Sequence, residues 1–211
     1  FRHKVKPAPD NWTRGSSGGG IIKYDANAKT FTMLGGTDHK LAKTVVWSNH
    51  GGQDGHYQQP GIRLFFDNNN RMHLVATMIG EDGHPTSSWK ATHLLYAYSD
   101  DGGATFHTID KKKIAALPMT PATATVVVYR SDCSIWDNAF IGAFNSDRPV
   151  IGWRDDAGWD LLKWTGKRWT SILPEEKAAG QVYMRRNGEM AIIRSYQGVY
   201  VSRDWGKTYK K

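Results

Sequence analysis

The sequence predicts an all-β protein, part of a β-propeller built from four-stranded antiparallel blades. Three observations lead there. Helical periodicity is nearly absent, a nine-residue hairpin motif recurs, and the aromatic residues that end the recurring hairpins are spaced at blade-like intervals. The β-runs are short and broken by Gly, Asn and Asp: IRLFF (62–66), MHLVATM (72–78), TVVVY (125–129), AFIGAF (139–144), PVIGW (149–153) and EMAIIRS (189–195). The only stretches that read as helical turns are Lys111–Ala116 and Glu175–Ala179.

The motif is S-x-D-x-G-x-T-aromatic, the Asp-box pattern. YSDDGGATF runs from Tyr98 to Phe106 and VSRDWGKTY from Val201 to Tyr209. In such a turn the Ser and Asp side chains bond backbone amides, Gly takes a backbone angle other residues avoid, and the aromatic plugs the apolar layer beneath. KYDANAKTF (23–31) and LKWTGKRWT (162–170) fit the same slot more loosely. The four aromatic ends, Phe31, Phe106, Trp169 and Tyr209, stand 75, 63 and 40 residues apart. Each gap holds one four-stranded sheet with loops, against about 40–45 residues per repeat in a common propeller class. The expected division is an outer hairpin at 12–34 and blades at 58–110, 122–173 and 180–211. That is about half of a ring, with the rest expected on chain preceding residue 1 or on a second chain.

Composition narrows the function. The 211 residues are 39% hydrophobic and 12% aromatic, enough for a packed core. No apolar run reaches the ~18–20 residues of a membrane helix, and FRHKVKPAPDNW lacks the apolar stretch of a signal peptide. One cysteine, Cys133, excludes an internal disulfide framework and a multi-cysteine zinc site. A net charge of +8 suits an acidic partner. The run Lys111–Lys113 reads as a solvated turn.

Two polar stretches stand out. WTRGSSGGG (12–20) places Arg14 beside glycines that let a bulky ligand approach the backbone. It is not a phosphate loop, because no Lys-Ser/Thr closes it and a hairpin follows instead of a helix. HGGQDGHYQQP (50–60) is a long polar loop carrying His56 and Tyr57. His73 lies on a strand and reads as a buried, hydrogen-bonded histidine. His73, His84 and His93 are the one set that could share a structural metal, although the chemistry proposed below requires no cofactor. Asp101 and Asp204 read as turn-formers.

Taken in order, these motifs resemble the second half of the Asp-box (BNR-repeat) polysaccharide lyases, seven-bladed propellers typified by ulvan lyases. The resemblance runs through Arg14–Ser17–Gly19, Tyr24–Asp25–Lys29–Thr30–Phe31, His56–Tyr57, Arg71–Met72–His73–Leu74 and Leu95–Tyr96–Ala97–Ser99. It implies β-elimination beside a uronic acid in an acidic glycan. Arg14 would neutralise the uronate carboxylate, with Trp12 and Ser17 in the same binding region. Tyr57, 43 residues after Arg14, would line the pocket with His56. The family's catalytic histidines and main catalytic tyrosine belong to motifs upstream of the arginine, expected before residue 1. A second reading takes D-G-H (54–56) as one of those motifs and makes His56 catalytic.

The chemistry itself asks for these residue types. Charge builds on the carboxylate as the C5 proton leaves, so a fixed Arg stabilises it, while Tyr and His can move the protons. The partner is then an acidic polysaccharide, not nucleic acid or a membrane, and the setting secreted or periplasmic. Two alternatives stay open: a glycoside hydrolase on the same scaffold (rhamnosidase- or sialidase-like), and a glycan-binding propeller without catalysis.

Overall fold

The structure is a computed structural model that describes residues 2–3, 17–34, 45–48, 61–78, 91–130, 135, 139–143, 145–172, 181–185, 189–194, 198–204 and 206–211. Every regular element among them is a strand. The first group comprises β1 (Arg2–His3), β2 (Ser17–Gly19), β3 (Ile21–Asp25), β4 (Thr30–Leu34) and β5 (Val46–Ser48). β2 pairs with β1 and β5, and β3 forms a hairpin with β4. A four-stranded sheet follows, β6 (Gly61–Phe66), β7 (Met72–Met78), β8 (His93–Ser99) and β9 (Thr125–Tyr129), antiparallel in chain order. The next repeats it: β10 (Phe140–Ala143), β11 (Pro149–Asp155), β12 (Gly158–Trp164) and β13 (Trp169–Ser171). The last has three strands, β14 (Gln181–Met184), β15 (Met190–Arg194) and β16 (Gly198–Ser202).

The sheets stack face to face through three apolar layers. Ile21, Val45 and Val46 meet Met72, Leu74 and Ala76 of β7. Val75, Leu94 and Tyr96 meet Ile141, Ile151 and Trp153. Val150 and Leu161 meet Met190 and Ile192. This explains why β7 and β8 are buried at every position: alternate side chains enter different layers, so the two central strands of the second sheet are covered on both faces.

Both full Asp-boxes close as their sequence requires. Ser99 Oγ accepts from the Gly103 amide at 2.7 Å, and Asp101 Oδ1 accepts from the Thr105 amide at 2.9 Å. The second copy repeats this, with Ser202 Oγ 2.8 Å from the Gly206 amide and Asp204 Oδ1 2.8 Å from the Thr208 amide. Gly103 and Gly206 have φ of 92° and 74°, and a Cβ on either would lie under 3 Å from Leu34 or Ile172. Phe106 is 1% exposed beneath its turn, and Tyr209 donates to the Ile172 carbonyl at 3.1 Å.

Three expectations are corrected. The run TVVVY was assigned to the blade at 122–173, but β9 pairs along β8 and completes the preceding sheet. Residues 111–116 form no helix; Lys113 bridges His107, and the Ile114 amide donates to the Phe106 carbonyl at 2.8 Å. Phe31, expected to plug the core, is 74% exposed and packs on Tyr24 at 4.9 Å between ring centroids. Tyr24 and Phe31 face each other across the hairpin, on the side away from Ile21 and Leu34, which enter the first apolar layer. The run 175–179 lies outside the described residues.

Candidate functional site

Strand register gives the second and third sheets two distinct ends. At one end lie the turns 67–71, 100–105, 145–148 and 165–168. At the other, Met78 pairs with His93, His93 pairs with Tyr129, and β11 turns into β12 at Asp155–Gly158. The first group is aligned with them by its contacts. Gly103 abuts Leu34 at the turn end, while Gly19 abuts Ile62, which pairs with Ala76 further along. Ser17, two residues before Gly19, therefore sits toward the second end.

The turn end is held by a buried polar network. Asp67 is 1% exposed and accepts from the amides of Asn69 at 2.8 Å and Arg71 at 3.0 Å, and from Ser146 Oγ of the next sheet at 2.6 Å. His73 Nε2 lies 3.3 Å from Asp67 Oδ2, and His73 Nδ1 lies 2.8 Å from Tyr96 Oη. Burial lowers the His73 pKa despite the opposing Asp67 carboxylate, so the imidazole is neutral. With Asp67 ionised, Nε2–H donates to the carboxylate and Nδ1 accepts the Tyr96 hydroxyl. Burial works to raise the Asp67 pKa, yet the bond from Ser146 and the two amides hold it below the usual value. Burial pushes the Tyr96 hydroxyl well above its usual pKa. Arg71 forks onto Asp100 at 2.6 and 3.1 Å, reaches the Ser146 carbonyl at 2.8 Å and lies over the Tyr98 ring at 4.1 Å. All these groups are satisfied, and their effect is to join two sheets.

The second end is built differently. His93, 4% exposed, has Nδ1 2.9 Å from Thr92 Oγ1 and its ring 4.8 Å from that of Tyr129, which is half exposed. Arg130 follows on the strand. Its guanidinium lies 3.5 Å from the buried Asp155 carboxylate of the third sheet and 5.6 Å from the Trp153 ring centroid. A tyrosine hydroxyl, an imidazole and a guanidinium thus share one sheet end. Each is a residue type that handles sugar carboxylates and protons.

Sequence reasoning anticipated the buried, bonded His73 and did not single out Tyr129 and Arg130. A YR pair ending a VVV run carries no chemical signature, and its meaning comes only from register with His93. Ser17 lies in β2 opposite Ser48. Trp12, Arg14, His56, Tyr57 and His84 lie outside the described residues. His73 and His93 cannot share a metal. Five residues of β8 separate the levels of Tyr98, the partner of His73, and His93, on the order of 17 Å. Among the described residues no group of three or more His, Cys, Asp or Glu is placed to hold one. Nor is any described helix long and apolar enough to cross a membrane.

No family model matches the chain, and no curated protein matches it by sequence. Solved structures match by shape, and three of them are polysaccharide lyases. An ulvan lyase of family PL25 aligns over 95% of this chain and 56% of its own, with TM-score 0.50 and 10% identity. The same kind of enzyme bound to -[GlcA(1-4)Rha3S]- gives TM-score 0.52 over the same shares at 10% identity. The polysaccharide lyase Uly1 gives TM-score 0.63 at 11% identity, over 94% of this chain and 44% of its own. The likeness is one of fold, and the chain spans about half the length of these structures.

Proposed function

We propose that this chain is part of a polysaccharide lyase that cleaves an acidic, uronate-containing glycan by β-elimination. The observation that carries the reading is that 94–95% of the chain overlays polysaccharide lyases, one of them solved with a glucuronate–rhamnose sulfate ligand. The motif order from Arg14 through the Asp-box at 99–106 supports it independently. In this reading the sheets are consecutive blades of a propeller. Substrate lies across the end of the sheets that carries Ser17, His93 and Tyr129.

Arg14 neutralises the uronate carboxylate, so the C5 proton can leave as negative charge spreads into that group. Tyr57 and His56 line the sugar pocket and act on the proton and the leaving oxygen. Trp12 stacks on a sugar face, and Ser17 bonds a hydroxyl. Tyr129 and Arg130 extend the same surface toward the third sheet. The remaining catalytic groups come from further blades. A polymer substrate of this kind places the enzyme outside the cytoplasm, secreted or periplasmic.

The test is incubation of the protein with ulvan while following ultraviolet absorbance of the 4,5-unsaturated uronate. Absorbance rising with chain cleavage is expected. Reducing ends without absorbance would replace the lyase by a hydrolase, and binding without cleavage would leave a glycan-binding protein. Arg14→Ala is expected to abolish turnover of uronate polymers, and unchanged turnover would remove Arg14 from the mechanism.

A further inference from the structure

Among the described residues, the unpaired positive charge lies away from the sheet end assigned to catalysis. At the Ser17–His93 end, Arg130 is engaged with Asp155, and Arg154, Asp155 and Asp156 all have partners. At the turn end, two turns face each other across a cleft of about 340 Å³ between the second and third sheets. Its walls include Arg71, Tyr98, Asp110, Lys111, Trp164 and Gly166. Lys111 lines the cleft, Lys112 and Lys113 follow it in the same turn, and Lys167 and Arg168 follow Gly166 of the opposite wall; all five are exposed, and none has an ion-pair partner among the described residues. A second, shallower hollow of about 490 Å³ adjoins it, sharing Asp110 and lined by Lys112 and Lys113.

We propose that this cleft and its basic rim are a second, non-catalytic docking surface for an anionic polysaccharide. The run at 111–113, which the sequence offers as a solvated turn, is then one side of a binding track. Arg71 does not serve as an anion hook, because Asp100 and Asp147 already occupy it. It lines the cleft together with half-buried Trp164, an aromatic of the kind that stacks on a sugar face. Asp110 and Asp147 on the cleft wall can accept from sugar hydroxyls and keep anionic groups out of the cleft itself, so the charges of the polymer face the cations outside it. The free cations stand outside the cleft on two turns, which suits a polymer carrying many charges rather than a single buried anion. Exposed large apolar side chains, which a membrane surface would call for, are absent from residues 108–113 and 164–169. The polymer class rests on the proposed function, since a lyase for sulfated uronate chains holds its substrate longer if a second face of the protein grips the same strand.

The experiment measures retention of the intact protein on immobilised ulvan as a function of salt, alongside release of unsaturated product. Lys112→Glu with Lys167→Glu is expected to weaken retention about tenfold and to flatten its salt dependence, because fewer counterions are displaced. The single variant Lys167→Glu serves if the pair does not fold, with a smaller loss expected. Unchanged retention in a folded variant overturns the proposal. Single-stranded oligo(dT) or phosphatidylserine vesicles competing with ulvan as strongly, charge for charge, would also overturn it and make the track a general polyanion or membrane surface. If the parent protein yields no unsaturated product but the lysine variants still lose retention, the lyase reading fails and the docking surface stands.

Discussion

The two ends of the sheets solve different problems. The turn end ties neighbouring strands and sheets together: Asp-boxes close on their own backbone, and Asp67, Ser146 and Arg71 bridge the second and third sheets with full hydrogen bonding. At the opposite end the same two sheets meet through the long Arg130–Asp155 ion pair at 3.5 Å, and Tyr129 is left half exposed. The buried polar side chains at the first end are consumed by architecture, and its exposed lysines and Arg168 stand outside that network. At the second end Tyr129 keeps half its surface. A rigid buried network with polar groups left at the surface is how a repeated sheet hosts a site without losing its stack.

The sharpest way to break this contrast is at the core beneath the first Asp-box. Phe106→Ala empties a fully buried slot and is expected to cost about 3–5 kcal/mol, read as a lower denaturant midpoint. Its motif counterpart Phe31→Ala, on an exposed ring, is expected to stay within about 0.5 kcal/mol. Equal losses would mean that the hairpin 23–31 is sealed like the box.

Next in size is Asp67→Ala, which strands the His73 and Ser146 donors. A loss of about 3 kcal/mol is expected from chemical denaturation. A loss under about 1 kcal/mol would show that the second and third sheets do not depend on this network.

A smaller effect comes from acid. Burial alone would raise the Asp101 pKa, but bonds from Thr105 and Ser99 bring it down to about 2. Asp204 falls to about 2 chiefly through Thr208. Both folded values lie below the unfolded 3.8, so their contribution is complete above about pH 4 and is lost as pH falls toward 2. Thermal midpoints should drop across that window, and the drop should be shallower in Asp101→Asn with Asp204→Asn. An equal drop would place acid sensitivity elsewhere.

The smallest stability change belongs to Arg130→Ala. Its long, partly exposed pair with Asp155 is worth no more than about 1 kcal/mol. Slower turnover of a uronate polymer at nearly constant stability is the expected result. A stability loss without any kinetic change would make the second end architectural too.

How much of this was legible in the sequence follows from the range of the interactions. The Asp-boxes were readable because Ser99, Asp101 and Gly103 act within five residues of chain. His73 was readable as buried because its strand is apolar around it. The sheet membership of TVVVY was not, since any β-run pairs with whichever neighbour the fold presents. Nor was the exposure of Phe31, which depends on what lies across the sheet rather than on the hairpin that carries it. The basic rim was visible as lysines but not as a track, because Lys111 and Gly166, the neighbour of Lys167, come together only as two walls of a cleft between sheets.

The outer faces of the stack have a consequence for how the chain behaves in a tube. On the first hairpin Ile22, Tyr24 and Phe31 are 45%, 52% and 74% exposed on one face. On the last sheet Tyr183, Ile193 and Val199 share a face and are 54%, 39% and 46% exposed. Where no further chain covers them, two different apolar ends on one body favour a head-to-tail contact, which does not saturate in a pair as a two-fold contact does. The rotation from one sheet to the next then sets the outcome: a closing angle gives a discrete particle, and any other gives a fibre. Light scattering that climbs steeply with concentration, and falls when Phe31 is replaced by Ser, would be the signature of that polymerisation.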